Sequence, residues 1–351
     1  MYYPLVSVVI PVGGNSNKDN IMTVVESIWH QDYPKNKIEI LLVVDPETKL
    51  KVLTFSRSVQ FVDFVRPTGT TGRDTNARAK KGWDSARGEI LAHTGVRWYW
   101  GPQSISTALR IMRKKGVQAL DGIAERMPND QSFLALFQDE SLVTEFPRYK
   151  EDFLLGKDNF GQDFNLPILA SFFMTRDFYD KVKEHLPIHT EDGWEDFDMV
   201  RAMCESGGRI YCTRELVGHR NNAVSLRLGK HFTSGISGFK FIMENPANPY
   251  AQKRLRLTLL ATIVLISGLS AFIMMVALNP LFGILFTVWI LLTVFTLLGI
   301  YNCVRAKMLI AVFFPPLTAL QIIVWLCGFF YGGANEMNLD REFIVSLHNH
   351  R

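Results

Sequence analysis

Cys204, Cys212, Cys303 and Cys327 are the only cysteines in 351 residues, and no two of them form a Cys-x-x-Cys pair. That spacing supplies neither a zinc ribbon nor a disulfide framework. A lopsided charge is missing as well. The 38 basic and 34 acidic residues leave a diffuse net charge of +4, with no basic stripe for nucleic acid. There is no internal repeat and no low-complexity tract, which excludes a solenoid and argues against disorder. The N-terminal apolar run 5–12 is short, lacks a basic flank and leads into Gly13 and Gly14. No cleavable signal peptide is expected there.

Charge is absent altogether from 257–300 and again from 308–335. An uncharged apolar stretch beyond about 18 residues is a transmembrane candidate, and the first of these has room for two spans of about 20. A purely cytosolic enzyme is thereby not expected. Three spans are expected, at roughly 257–278, 281–300 and 308–331, with Asn279 and Pro280 forming the turn between the first two. Lys253, Arg254 and Arg256 precede the first span, and Arg305 and Lys307 precede the third. Basic residues flanking alternate loops, and so sharing one side of the spans, place the soluble part in the cytoplasm of a cell-membrane protein. Pro315 and Pro316 would interrupt a helix in the third segment, and a tail follows over 332–351. Ahead of the spans, over 223–256, Leu226, Leu228, Phe232, Ile236 and Phe239 alternate with Arg227, Lys230, His231 and Lys240. This pattern predicts an amphipathic interfacial segment that contacts membrane lipids.

The soluble part, 1–222, begins with a β-branched run, Val6-Ser7-Val8-Val9-Ile10-Pro11-Val12, closed by Gly13 and Gly14. A helical pattern over 20–30 and a second apolar strand over 38–44 complete a βαβ unit. Further strands are expected over 59–65 and 89–93 around a helix at 75–86, then a helix over 103–115 and a strand near 117–123. Parallel sheets of this kind bind ligands at the carboxyl ends of their strands, where Gly13, Gly14 and Asp45 lie.

Several landmarks resemble one family. Ser7 to Val12, Ile40-Leu41-Leu42-Val43-Val44-Asp45 and Ala86-Arg87-Gly88-Glu89-Ile90-Leu91-Ala92 look like successive motifs of the membrane-attached family-2 glycosyltransferases. Ala170-Ser171-Phe172-Phe173-Met174-Thr175-Arg176 resembles that family's acceptor-side strand. Glu195-Asp196-Phe197-Asp198-Met199, followed by Gly207-Gly208-Arg209-Ile210, resembles its ED-x-D-L motif and the strand start after it. The order of these matches carries the resemblance, since none is specific alone. It implies a GT-A fold, a Rossmann-like mixed sheet of the nucleotide-diphospho-sugar transferases, followed by C-terminal transmembrane helices.

The same resemblance implies an inverting transfer from a nucleotide-diphosphate sugar to a polyprenyl-phosphate, another lipid-linked acceptor or a saccharide. Asp196, with Glu195 beside it, stands where the family has its base. Pro11, Val12 and Asp45 stand on the donor side, and His219, Arg220 and Arg227 on the acceptor side. Each has a plainer reading: acids suit a helix N-terminus, Asp45 before Pro46 suits a turn, and His219-Arg220 suit a surface strand end.

One departure stands out. After Ile90-Leu91-Ala92 the family usually carries an Asp-x-Asp motif that holds a divalent metal on the diphosphate. Here the two positions are Gly95 and Arg97, so Mg²⁺ or Mn²⁺ held in the family manner is not expected. Three readings follow. Arg97 grips the diphosphate in place of a metal, aided by Lys80 or Arg78. Alternatively, the chain is a catalytically inactive binding or scaffold subunit of glycan assembly. In the third, the motif has slipped and the acids are Asp74 or Asp84. The neighbouring Trp98, Tyr99 and Trp100 suit core packing or a sugar-stacking face, and His93 suits the core.

Overall fold

The computed structural model describes residues 2–13, 16–46, 48, 59–65, 74–127, 132–140, 149, 151–160, 167, 169–188, 195–220 and 228–349. It divides into two compact units, Met1–Gln131 with Phe146–Ala223, and Ser132–Glu145 with Val224–Arg351.

The first unit is built on a mixed sheet. Strands β1 (Val6–Pro11), β2 (Ile38–Val44), β3 (Val59–Asp63) and β4 (Ile90–His93) run parallel, and β8 (Phe172–Thr175) is antiparallel to β4. Strand β6 (Ala119–Arg126) lies between β8 and the long β9 (Ile210–Arg220), which also pairs with the short β5 (Trp98–Trp100) and β7 (Phe153–Leu155). The order is β3-β2-β1-β4-β8-β6-β9-β5. Every residue of β1 and β2 is buried, because helices cover both faces and leave no wet side to select polar alternation.

On one face Val8 and Ile10 meet Ile21, Val24 and Ile28 of α1 (Lys18–Trp29), along with Ile105 and Ala108 of α3 (Ser104–Lys115). On the other, Val9, Leu41 and Val43 meet Ala79 and Trp83 of α2 (Thr75–Ser85), and this core continues through α5 (Arg176–Val182) to α6 (Glu195–Glu205). Helix α2 approaches the sheet through Gly82, where an added Cβ would sit 2.3 Å from Val9 Cγ1 and 2.8 Å from Val43 Cγ2.

Several landmark residues hold the amino edge of the sheet. Glu39, buried on β2, accepts from Arg87 Nε at 2.7 Å and from the Arg87 amide at 2.9 Å, while the Gly88 amide donates to Ser7 Oγ at 2.8 Å. Arg176 donates to the carbonyls of Trp83 at 3.0 Å and Ala86 at 2.6 Å, closing the end of α2 with a cation where the helix dipole favours one. The Gly207-Gly208 landmark terminates α6. Gly207 has φ 78°, and the amides of Gly208 and Gly207 reach Met203 O (2.9 Å) and Cys204 O (3.0 Å), a Schellman closure.

The second unit holds α4 (Phe133–Glu140), α7 (Leu228–Glu244), α8 (Pro249–Leu278), α9 (Pro280–Ala306) and α10 (Phe314–Asn349). Among the described residues, three stretches are long and apolar enough to cross a membrane: Ala251–Leu278, Pro280–Val304 and Leu309–Ala334. Asn279 caps α9, its side chain accepting from the Phe282 amide at 3.1 Å, with Pro280 in the first turn. In the third stretch Leu309–Phe313 is a 3-10 turn and α10 starts at Phe314. Pro315 and Pro316 thus occupy the first turn of a helix, where a missing N–H costs nothing.

The segment expected at the membrane interface folds as α7, and its Phe241, Ile242, Ser237 and His231 are buried. It packs on α10 through glycines. A Cβ on Gly235 would stand 2.1 Å from Trp325 O, and one on Gly328 2.0 Å from Phe232 O. Backbones meet directly there, as small residues allow in membrane helix pairs.

Gly82→Ala is expected to lower the stability of the first unit by roughly 1–3 kcal/mol, since the methyl has no room between Val9 and Val43. Denaturant unfolding followed by tryptophan fluorescence measures it, and an unchanged midpoint contradicts the close packing of α2.

Candidate functional site

The carboxyl ends of β1, β2 and β4 and the N-terminus of α2 lie at one edge of the sheet, because those strands are parallel and α2 runs back from β3 to β4. Arg78, on α2, organises this edge. Its guanidinium donates to Val12 O at 2.9 Å, to Asp74 Oδ1 and Oδ2 at 3.1 Å each, and to Asp45 Oδ2 at 3.3 Å. It lies 4.4 Å from the centroid of the Phe64 ring. Arg78 is buried, and a buried cation is tolerated when its donors are met by carboxylates and carbonyls in this way. The i, i+4 spacing of Asp74 and Arg78 brings their side chains together on one helix face.

Asp45 follows the last residue of β2. Its Oδ1 accepts the Thr48 amide at 2.8 Å. Burial opposes ionisation of this carboxyl, but the Thr48 hydrogen bond and Arg78 outweigh it and hold Asp45 below its usual range. Each carboxylate oxygen still has a second lone pair to offer a ligand N–H. Pro11 and Val12, on the donor side by sequence, border the same corner, Val12 through its carbonyl on Arg78.

Glu195 and Asp196 open α6, both half-buried. Asn76, buried in the first turn of α2, donates to Glu195 O at 3.0 Å and so ties the start of α6 to the Arg78 helix. Asp198 pairs with Arg201 at 3.3 Å. Lys80 is on a different side of α2 from Arg78, paired with Asp84 at 3.3 Å, and Asp84 also accepts from the Tyr179 hydroxyl.

At the end of β4, Thr94 donates to Ala170 O at 3.0 Å, and the chain turns so that the Trp98 amide reaches Gly95 O at 3.1 Å. A Cβ on Gly95 would lie 3.1 Å from Trp98 Cδ1, so the indole occupies the space beside that strand end. Trp100 donates to the same Ala170 carbonyl at 3.2 Å and packs on Phe173, with ring centroids 5.0 Å apart. Leu169, at φ 50°, carries the chain into that corner through the left-handed region. Arg97 is exposed in the turn.

Residues 95 and 97, at the end of β4, carry no carboxylate. The strand end offers a glycine, a valine and a guanidinium in place of oxygen ligands, and hard cations require oxygen. Asp74 and Asp84 are engaged with Arg78 and with Lys80 and Tyr179, and among the described residues no three His, Cys, Asp or Glu side chains converge.

His219 and Arg220 end β9, opposite Trp98 and Tyr99 of β5 and opposite Glu125 and Arg126 of β6. His219 Nδ1 lies 3.3 Å from Arg126 O. Arg227 lies outside the described residues. Sequence reasoning named Arg78 only as an aid to Arg97, and it missed Asn76. The Asp74–Arg78 spacing was a signal for the first. The partner of the second, Glu195, is distant in sequence, and only the fold brings the two close.

His93 sits in the core against Trp83, with ring centroids 5.6 Å apart. Neither His93 Nδ1 nor Trp83 Nε1 has a hydrogen-bond partner among the described residues. Burial pulls the imidazole down to about 4 from an ordinary value of 6.5.

No protein-family model matches the sequence, and no curated protein matches it. Solved structures do. A mannosyltransferase, PcManGT from Pyrobaculum calidifontis, in complex with GDP-Man and Mn²⁺, superposes with a TM-score of 0.55 at 15% identity, over 91% of this chain and 88% of that one. TarS from S. aureus, residues 1–349, gives a TM-score of 0.44 at 12% identity over 66% of this chain and 64% of that one. Its complex with UDP-GlcNAc gives 0.45 at 14% identity, covering 66% and 65%. The mannosyltransferase match shows the fold: this is the mixed α/β sheet of the GT-A glycosyltransferases, followed by apolar helices that could span a membrane.

The His93 shift has a consequence for stability. The folded chain holds His93 neutral, whereas the unfolded chain takes up a proton below about 6.5. Stability is therefore complete above that pH and is lost as pH falls toward 4, by on the order of 3 kcal/mol. The unfolding midpoint of the wild-type protein is expected to drop across this window, and His93→Leu is expected to flatten the drop. Equal slopes in the two proteins would rule out a neutral buried His93.

Proposed function

We propose that the chain is a membrane-anchored, inverting glycosyltransferase that moves a sugar from a nucleotide-diphosphate donor to a lipid-linked or saccharide acceptor at the cytoplasmic face. The observation that carries this reading is the convergence, at one edge of a GT-A sheet, of the Asp45–Arg78 corner with the acid-bearing start of α6 through Asn76 and Glu195. The mannosyltransferase of similar fold binds GDP-Man, which supports a nucleotide-sugar donor. Three apolar helices support an integral protein, and the basic residues at 253–256 support a cytoplasmic soluble unit.

In this reading Asp45 receives a ring N–H of the donor's base. An acceptor oxygen attacks the anomeric carbon on the side away from the diphosphate. The bond from that carbon to the diphosphate oxygen breaks, its electron pair stays on the leaving group, and the configuration inverts. A hydroxyl acceptor must lose a proton in that step, and Asp196, with Glu195 beside it, is the base. The charge on the departing diphosphate is met by Arg97, since a guanidinium grips phosphate oxygens in pairs.

A second reading rests on Gly95 and Arg97: the chain is a catalytically inactive, glycosyltransferase-like subunit that binds or scaffolds in glycan assembly.

Calorimetric titration of the detergent-purified protein with UDP-, GDP- and dTDP-sugars in EDTA separates the two. The enzyme reading expects one donor to bind without metal; the absence of binding with or without Mn²⁺ leaves the scaffold reading. Asp196→Asn is expected to cut transfer to a saccharide hydroxyl by about 10²–10⁴-fold and to leave donor affinity within about two-fold. Undiminished turnover in that variant removes Asp196 from the mechanism.

A further inference from the structure

The three apolar stretches are not held alike. Helices α8 and α9 form an antiparallel hairpin: Asn279 and Pro280 make the turn, and a Cβ on Gly283 would lie 2.6 Å from Val276 N. The start of α8, with Lys253, Arg254 and Arg256, and the end of α9 are therefore on one side. The chain stays there after α9. Cys303 Sγ donates to Leu309 O at 3.3 Å, and a Cβ on Gly299 would lie 2.8 Å from Val312 O, so 309–313 folds back on the last turns of α9.

Helix α10 then runs back toward the start of α8. The Arg254 guanidinium lies 6.0 Å from the centroid of the Trp325 ring. Helix α7 is aligned parallel to α10, since His231 meets Gln321 at 3.0 Å and the rings of Phe239 and Phe329 have centroids 5.2 Å apart. From Glu244, the last residue of α7, to Pro249, the first of α8, the chain reaches at most about 18 Å. A crossing by 309–334 conflicts with both contacts. Any twenty residues of that stretch would put Trp325 within about 10 Å of the bilayer centre, and the Arg254 guanidinium with it, where a charge is expensive. The same crossing would carry the end of α7, where Lys240 and Glu244 pair at 4.0 Å, toward the side opposite the start of α8.

Exposure along α10 is one-sided. Leu320, Ile323, Cys327, Phe330 and Ala334 are exposed, and their spacing of three and four residues draws a single apolar stripe. Thr318 and Gln321 are buried, the latter against His231 of α7. Helices α8 and α9, by contrast, are exposed all round, with 0% and 6% of their most apolar windows buried. The outer edge of α7 carries Thr233 and Glu244, both exposed and polar. An apolar stripe on one helix and a polar edge on its partner suit the boundary between headgroups and acyl chains.

We infer that α7 and α10 lie together in the plane of the membrane interface, on the side where α8 begins, with the stripe of α10 turned to the acyl chains. The partner of this surface is the lipid leaflet itself. The chain crosses the bilayer twice, through α8 and α9, and the end of α10 is on the same side as Lys253. The span expected over 308–331 is in this reading a surface helix. Neither sugar transfer nor donor binding is needed for it.

Two measurements on the full chain test this, both in a background with Cys303→Ser. Cys204 and Cys212 are buried, so a nitroxide reports from native Cys327 or, with Cys327→Ser, from Leu320→Cys or Ala334→Cys. In phosphatidylcholine and phosphatidylglycerol vesicles, accessibility to oxygen against a water-soluble nickel complex gives the depth of each label. The three depths are expected to agree within about 3 Å, roughly 5–10 Å below the phosphates. A depth that changes by about 10 Å with each seven residues is that of a crossing helix and overturns the inference.

The second measurement labels cells that express the chain with an impermeant maleimide, before and after permeabilisation, in the Cys327→Ser background. Lys253→Cys marks the start of α8 and Leu278→Cys the turn of the hairpin. Ser346→Cys is expected to follow Lys253→Cys. Labelling that follows Leu278→Cys instead puts the end of α10 across the bilayer and overturns the inference. Should a cysteine variant fail to fold, a protease-cleavable tag after Arg351 reads the same side with the fold unaltered.

Discussion

A buried guanidinium needs several acceptors at once, and Arg78 finds them only when three pieces of chain are in place together. Val12 comes from the end of β1, Asp45 from the end of β2 and Asp74 from the start of α2, while Phe64 past β3 supplies an aromatic face. Removing any carboxylate leaves a desolvated cation short of a partner, which is far costlier than losing a surface ion pair. The corner therefore assembles as a unit. Gly82 lets α2 lie close enough to β1 for Arg78 to reach across, and Asn76 extends the same helix to the start of α6. The positions of Val12, Asp45 and Glu195 follow from this one arginine and the helix that carries it.

The two edges of the sheet divide the recognisable residues into different jobs. Arg87, Gly88 and Arg176 are motif residues, yet their contacts are to Glu39, Ser7 and the last carbonyls of α2. They keep the strands in register and close a helix. Asp45, Glu195 and Asp196 lie at or near the opposite edge, where parallel strands end and chemistry has room. A motif match alone does not separate these roles; the contacts do.

Much of the fold was legible because its elements are local. The β-branched runs of β1 and β2 and the 3.6-residue period of α1 and α2 are carried by consecutive side chains, and the structure returns them within a few residues of expectation. What was not legible depends on distant pairing. The strand near 117–123 read as isolated, yet as β6 it is held between β8 and β9, and β5 is only three residues long. No periodicity can announce a strand of that length. The site divides the same way. Asp45 and Asp196 stand at ends of elements visible in the sequence, whereas the tie from Asn76 to Glu195 exists only once α2 has met α6. The interfacial pattern of 223–256 hid a further fact, since apolar residues at helical spacing suit a lipid surface and a neighbouring helix equally well.

The glycine seam between α7 and α10 bears on which parts of this chain can change over time. Where Gly235 and Gly328 lie against Trp325 O and Phe232 O, every other residue type brings atoms into space already held by main chain. These positions are closed to substitution in a way that no repacking of side chains can reopen. The outward faces of α8 and α9 carry the opposite condition, for one apolar side chain serves as well as another there. Related chains are therefore expected to differ freely along α8 and α9 while keeping the seam, so drift in sequence would reveal which helices are held by backbone and which only by their surroundings.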